Sequence, residues 1–263
     1  MTRYLRLWYA FFANCLVRDM QFRTNFILRI GMAFTWYVSN ILFFDVIYLH
    51  VPGIAGWSRY EVVILLGGYY IIDALNVGLF VNNVFKLPQY VNRGELDFML
   101  LKPVSAQFLV SVRYVDWSSV VAMLGGIATV AWGLMQLGVT PSFFDVGLYV
   151  VLLVCGLVLV YAMNFIYQCT SFWFLTSAGL ENGFWMVEHF IMKPDTIYPR
   201  FMKILLTYVI PATVIAAVPA RALLDKALAP EMIAWTIGVT MLLLWLSHVA
   251  FKRGLRRYES ASS

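Results

Sequence analysis

Charge is scarce in this sequence: Asp, Glu, Lys and Arg make up 13% of its 263 residues, where soluble domains carry ~25%. With 62% of the residues hydrophobic, too little polar surface is left to cover a water-soluble core, and a soluble fold is excluded. Histidine is almost missing; His50, His189 and His248 lie in separate regions, which argues against an enzyme built on a clustered polar constellation. The three cysteines, Cys15, Cys155 and Cys169, stand singly with no CxxC spacing. They indicate neither a disulfide framework nor a metal site and read as small hydrophobes. No HExxH-like spacing surrounds Glu188 and His189, which as helix neighbours would point ~100° apart. No GxxxxGK(S/T) phosphate loop occurs, so any ATP hydrolysis needs a separate chain, and this one is expected not to be an enzyme. No small-residue cleavage site follows the first apolar stretch, so the amino terminus is expected to be retained.

What the chain does have is long apolar runs, and ~20 such residues suffice to cross a bilayer. Six spans are expected in an all-α polytopic membrane protein forming a single transmembrane domain over 1–263. Four are clean: Ile30–Leu49, Tyr60–Val84, Ser118–Leu137 and Val146–Thr170. A fifth is placed near Leu180–Met192, and the sixth is Ile233–Phe251. Between them, residues 194–225 hold Pro194, Pro199, Pro211 and Pro219 and read as broken helices on the outer side, tolerated where protein buries them or a cavity receives them. Before the first span, residues 1–25 place Leu5, Trp8, Tyr9, Phe12 and Leu16 at helical spacing among arginines, the pattern of an interfacial amphipathic helix.

Orientation follows from the cations. Thirteen of the 19 Lys and Arg residues fall in the amino-terminal segment, in the loop after the second span and in the tail. By the positive-inside rule these face the cytoplasm. Both termini are then cytoplasmic, in the inner or plasma membrane. The net charge of +5 is explained by membrane lipid as partner, without nucleic acid.

The loop 85–105 carries the most specific signal. Pro88 stops the second span, Arg93 and Gly94 make a polar break, and a short amphipathic helix follows through Glu95, Leu96, Met99 and Leu100 until Lys102-Pro103 ends it. Acidic Glu95 and Asp97 at its start and Lys102 near its end suit the helix dipole. The order RGELDFMLLKPVS after the second of six spans resembles the coupling-helix loop of type-2, exporter-class ABC transporter permeases, whose pattern is R-G-x-L-(D/E)-x-L-L-x-x-P-(V/L)-S. Trp173-Phe174, Tyr198-Pro199, Ile210-Pro211 and Pro219-Ala220 are similar to a branch of small bacterial permeases of this class. The resemblance implies that Arg93, Gly94, Glu95, Leu96, Asp97, Leu100, Leu101, Lys102 and Pro103 dock onto an ATPase subunit. It also implies two such subunits carrying ATP and Mg²⁺, a second permease copy or related permease, and export of a hydrophobic or amphipathic molecule. No cofactor belongs to this chain.

Within the spans, Asp73 lies mid-helix, with Asn76 and Asn83 on the same face. A carboxylate at the bilayer centre costs roughly 2.5–3.5 kcal/mol on insertion scales. This stripe should therefore point inward, either along a translocation path or into a helix or dimer seam. The alternative function is an ion-coupled secondary transporter using Asp73, although no matching halves are visible in the sequence.

Overall fold

The computed structural model describes residues 2–174, 187–226 and 228–258, and among these it is helical without a strand. Helix α1 (Thr2–Gln21) turns at Phe22 into α2 (Arg23–Tyr48). A loop leads to α3 (Arg59–Asn76), which continues through a π turn, Val77–Val81, into the short α4 (Asn82–Val84). Three short helices follow: α5 (Leu87–Asn92), α6 (Asp97–Leu100) and α7 (Ala106–Val112). Helices α8 (Trp117–Leu137) and α9 (Phe143–Cys169) form a long hairpin. Residues 187–191 are helical, then come α10 (Arg200–Ile204), α11 (Ala212–Leu223) and α12 (Pro230–Arg257).

Among the described residues, five helical stretches are long and apolar enough to cross a membrane: Arg23–Tyr48, Arg59–Asn92, Trp117–Leu137, Phe143–Phe172 and Pro230–Arg257. They coincide with the first four and the sixth of the expected spans. The bent pair Arg200–Val209 and Ala212–Leu223, folded by 91° at Ile210-Pro211, would bring the number to six. Most of the span expected at 180–192 lies outside the described residues.

Local chemistry fixes the ends of these helices. The backbone N–H of Ser58 donates to the Glu61 carboxylate at 2.7 Å at the head of α3, and Lys226 reaches the same carboxylate at 2.6 Å. Asp116 caps α8 by accepting from the Ser118 N–H at 3.0 Å. Gly138 ends that helix at φ 65°, a left-handed conformation that costs glycine little. Ser142 and Asp145 then cap one another's backbone, at 2.9 and 3.2 Å, and start α9 four residues later. Pro199 and Pro211 occupy the caps of α10 and α11, so two of the prolines begin helices. Asp195 holds the bend between them, pairing with Lys203 at 3.1 Å and Arg221 at 2.6 Å.

Helix α3 is the axis of the molecule. Val62 to Leu66, Tyr70 and Ile72 are 0–2% exposed, enclosed by α2, α8, α9 and α11. Its crossing with α8 is close because glycines face each other: a Cβ on Gly67 would lie 2.6 Å from Val130 Cγ2, and one on Gly126 2.9 Å from the Ile71 nitrogen. Small residues at such crossings let helix backbones approach within the bilayer. Helix α11 is buried along its length through Ala212, Ala216, Ala217 and Ala220. Helix α2 is the opposite case, with Ile27, Leu28, Met32, Leu42 and Phe43 all exposed.

Candidate coupling loop and intramembrane polar site

The loop after α3 is built on a second hydrophobic core at one end of the bundle. Pro88, expected to stop the second span, sits in the first turn of α5, where its missing N–H has no helical partner to lose. Arg93 closes α5, and Gly94 at φ 71° turns the chain back. The Leu96 N–H then donates to the Tyr90 carbonyl at 3.2 Å. Leu87, Tyr90, Leu96 and Met99 are buried against Leu109 and Val110 of α7, Phe165 and Cys169 of α9, Phe172 in the turn that follows α9, and Phe251 of α12. Helix α6 is one turn, Asp97–Leu100, beginning two residues later than the expected start at Glu95.

Two faces result. Leu96, placed by resemblance among the docking residues, is 0% exposed and anchors the loop from beneath. Phe98 (70% exposed), Leu100 (44%) and Leu101 (82%) point away from the chain. Around them stand Arg93 and Glu95, 4.0 Å apart, with exposed Lys102 and Pro103. Gly94 shapes the turn, and Asp97 lies close to Tyr258 beyond the last helix, whose hydroxyl pKa is raised by burial and by that carboxylate. Phe98, not among the residues read from the sequence, shares this exposed face.

The stripe Asp73, Asn76 and Asn83 divides into two environments. Asn83 is locked to backbone, donating to the carbonyls of Leu79 (2.8 Å) and Tyr114 (2.6 Å) and accepting from the Tyr114 N–H at 2.7 Å. It fastens the end of α3 to the segment before α8. The adjacent π turn serves the same joint, since its Gly78 carbonyl accepts the Asp116 N–H at 2.9 Å.

Asp73 instead faces Glu188, which belongs to the 187–191 helix, and the two carboxyl groups are within hydrogen-bonding reach. Tyr69 donates to Glu188 Oε1 at 2.7 Å. Asn76 is 1% exposed, and its Oδ1 has no hydrogen-bond partner among the described residues. These groups border a water-sized void of about 10 Å³. Tyr69, Asp73 and Glu188 also border a larger cavity of about 300 Å³, shared with Trp36, Val77, His189 and Met192. Two carboxylates so close repel each other, and such a pair is held together by a shared proton or by a cation between them. On α9, Asn164 and Gln168 are a second buried polar pair, with amide groups unpartnered among the described residues. Among those residues, no three His, Cys, Asp or Glu side chains gather as for a metal ion.

The bundle defines a polytopic α-helical membrane protein with a structured loop at one end. Residues 34–262 match the protein-family model described as ABC-2 family transporter protein, and the chain belongs to that family, the membrane permeases of ABC transporters. Comparisons with curated proteins and with solved structures gave no match.

Proposed function

We propose that this chain is the permease of an ABC exporter whose ATP and Mg²⁺ are bound by two separate ATPase subunits. They dock on the face made by Phe98, Leu100 and Leu101 with Arg93, Glu95, Lys102 and Pro103. A second copy or a related permease completes the pathway. The chain sits in the inner or plasma membrane with both termini in the cytoplasm, residues 194–225 on the far side, and it extrudes a hydrophobic or amphipathic molecule.

The observation that carries this reading is the exposed apolar triad on a rigid base. Three large hydrophobic groups stand out on a turn whose other side is packed into the ends of α7, α9 and α12. Apolar anchors within a charged rim suit a partner's groove. Movement of that groove as the ATPase pair closes would be passed to the spans through Leu87, Leu96 and Met99. Asp73, Glu188 and Asn76 would border the substrate route.

The test is capture of the ATPase: co-expression with neighbouring ATPase genes and purification through this chain, in wild type and in Glu95→Arg with Leu100→Asp. An ATPase that co-purifies with wild type and is lost from the folded variant is the expected result. Absence of any ATPase from wild type in mild detergent would defeat the proposal and favour the ion-coupled alternative, for which the Asp73–Glu188 pair is the observation in hand.

A further inference from the structure

Where α1 ends, α2 begins and the extension of α3 runs out, the structure holds a cavity of about 310 Å³. Three cationic side chains border it: Arg18, Arg29 and Lys86. Two carboxylates border it too, and both are already engaged. Asp19 pairs with Arg18 at 3.2 Å and accepts the Trp117 N–H at 3.2 Å. Asp116 pairs with Arg29 at 2.9 Å and accepts from the Ser118 N–H and hydroxyl.

Lys86 has no such partner among the described residues. Its Nζ lies 4.1 Å from the centre of the Tyr114 ring, and the charged groups acting on it are Arg18 and Arg113, both cations. The cavity therefore keeps an uncompensated positive charge. Asn25 and Asn82, also on its wall, can add amide donors. That set of donors suits a tetrahedral oxyanion.

The position says where the oxyanion comes from. The cavity lies at the ends of two spanning helices and beside the turn from α1 to α2, which is headgroup depth in a bilayer. Directly along α2 from Arg29 run the exposed apolar side chains of Ile27, Leu28 and Met32, a surface on which acyl chains can lie. We propose that this cavity is a phosphate-binding site that takes the headgroup phosphate of an anionic membrane lipid, with Lys86 as its uncompensated cation and Arg18 and Arg29 as flanking donors. Lys86 immediately precedes α5, so a bound headgroup braces α1 and α2 against the root of the docking loop.

The purified full chain in neutral detergent would be titrated with dioleoylphosphatidylglycerol, dioleoylphosphatidylcholine and inorganic phosphate, with thermal unfolding followed by tryptophan fluorescence. The anionic lipid should stabilise saturably and the zwitterionic lipid far less. Lys86→Gln should weaken the anionic lipid by about fivefold, the effect of one cation near a membrane surface, and Lys86→Arg should retain it. The Lys86 side chain is half-buried and its charged end stands over the Tyr114 ring, and Gln keeps most of its stem, so the Gln variant is expected to keep the fold. Equal stabilisation by both lipids, or an unchanged response in Lys86→Gln combined with Arg18→Gln, would overturn the site. Full stabilisation by inorganic phosphate that also displaces the lipid would overturn the lipid as its source. No ATPase is needed, so the outcome is independent of the transport reading.

Discussion

At the scale of single residues, the interior is decided by size and by pairing. Gly67 has no room for even one methyl group, with Val130 Cγ2 2.6 Å from where its Cβ would stand. Gly238 on α12 has nothing within 4 Å of that point. Alanine is the better helix former by about 1 kcal/mol, so propensity alone would make both Gly→Ala changes stabilising. The contact at Gly67 reverses the sign there, because overpacking costs about 1–3 kcal/mol. Gly67→Ala is expected to lower the thermal unfolding midpoint in detergent, and Gly238→Ala to leave it unchanged or raise it. Equal shifts would mean that the α3–α8 crossing is looser than the glycine geometry requires. The carboxyl pair obeys the same economy of partners: Glu188 is 8% exposed and stays there with a Tyr69 hydroxyl and the Asp73 carboxyl beside it. The sequence showed Asp73 as an expensive residue but not its partner, since the two lie more than a hundred positions apart and only folding brings them together.

At the scale of elements, the first four spans and the sixth were legible because a bilayer demands ~20 apolar residues whatever the packing. The short helix after Gly94 was legible as a segment, but not in its sidedness. Leu96 and Met99 are one helical step of three apart, and so are Phe98 and Leu101. Either pair could have formed the inner ridge, because the turn carries apolar residues on more than one face beside Asp97. The core selects Leu96 and Met99, at 0% and 4% exposure, and leaves Phe98 and Leu101 outside. Pro88 was ambiguous for a related reason, because proline both ends a helix and starts one. The consequence is a separation of roles that mutation can read. Leu96→Asp buries an unpaired carboxylate beneath the loop and should yield an aggregated or poorly expressed chain. Leu101→Asp places the same group in water and should give a normally folded chain that fails to retain its ATPase. Size-exclusion profiles of the two variants, with and without the co-expressed ATPase, check both halves. A folded Leu96→Asp chain would show that the loop is not packed on the second core as described.

At the scale of the whole molecule, the charges define a sidedness that geometry extends. Arg18, Arg29, Lys86, Arg93 and Lys102 gather where α1, the docking loop and the polar cavity meet, and the end of α12 brings Phe251 and Tyr258 to the same region. At the far end of α3, Arg59 pairs with Asp45 at 2.7 Å, and Lys226 holds Glu61 and the Gly56 carbonyl. The two ends of α3 are thus differently equipped, the first carrying most of the cations and the second having Arg59 and Lys226 held in ion pairs. In the proposed orientation, which applies the positive-inside rule, the first end is assigned to the cytoplasm, with both termini and the loop 85–105 on that side. A fluorescent protein that matures only in the cytoplasm should therefore light up when fused to either terminus. A single cysteine at exposed Gly53, in a background with Cys15, Cys155 and Cys169 replaced, should react in intact cells with a membrane-impermeant maleimide, and one at Lys102 only after the membrane is opened. The reverse pattern of labelling would put the docking face outside, away from any ATPase, and would leave the Asp73–Glu188 pair as the remaining basis for energy coupling.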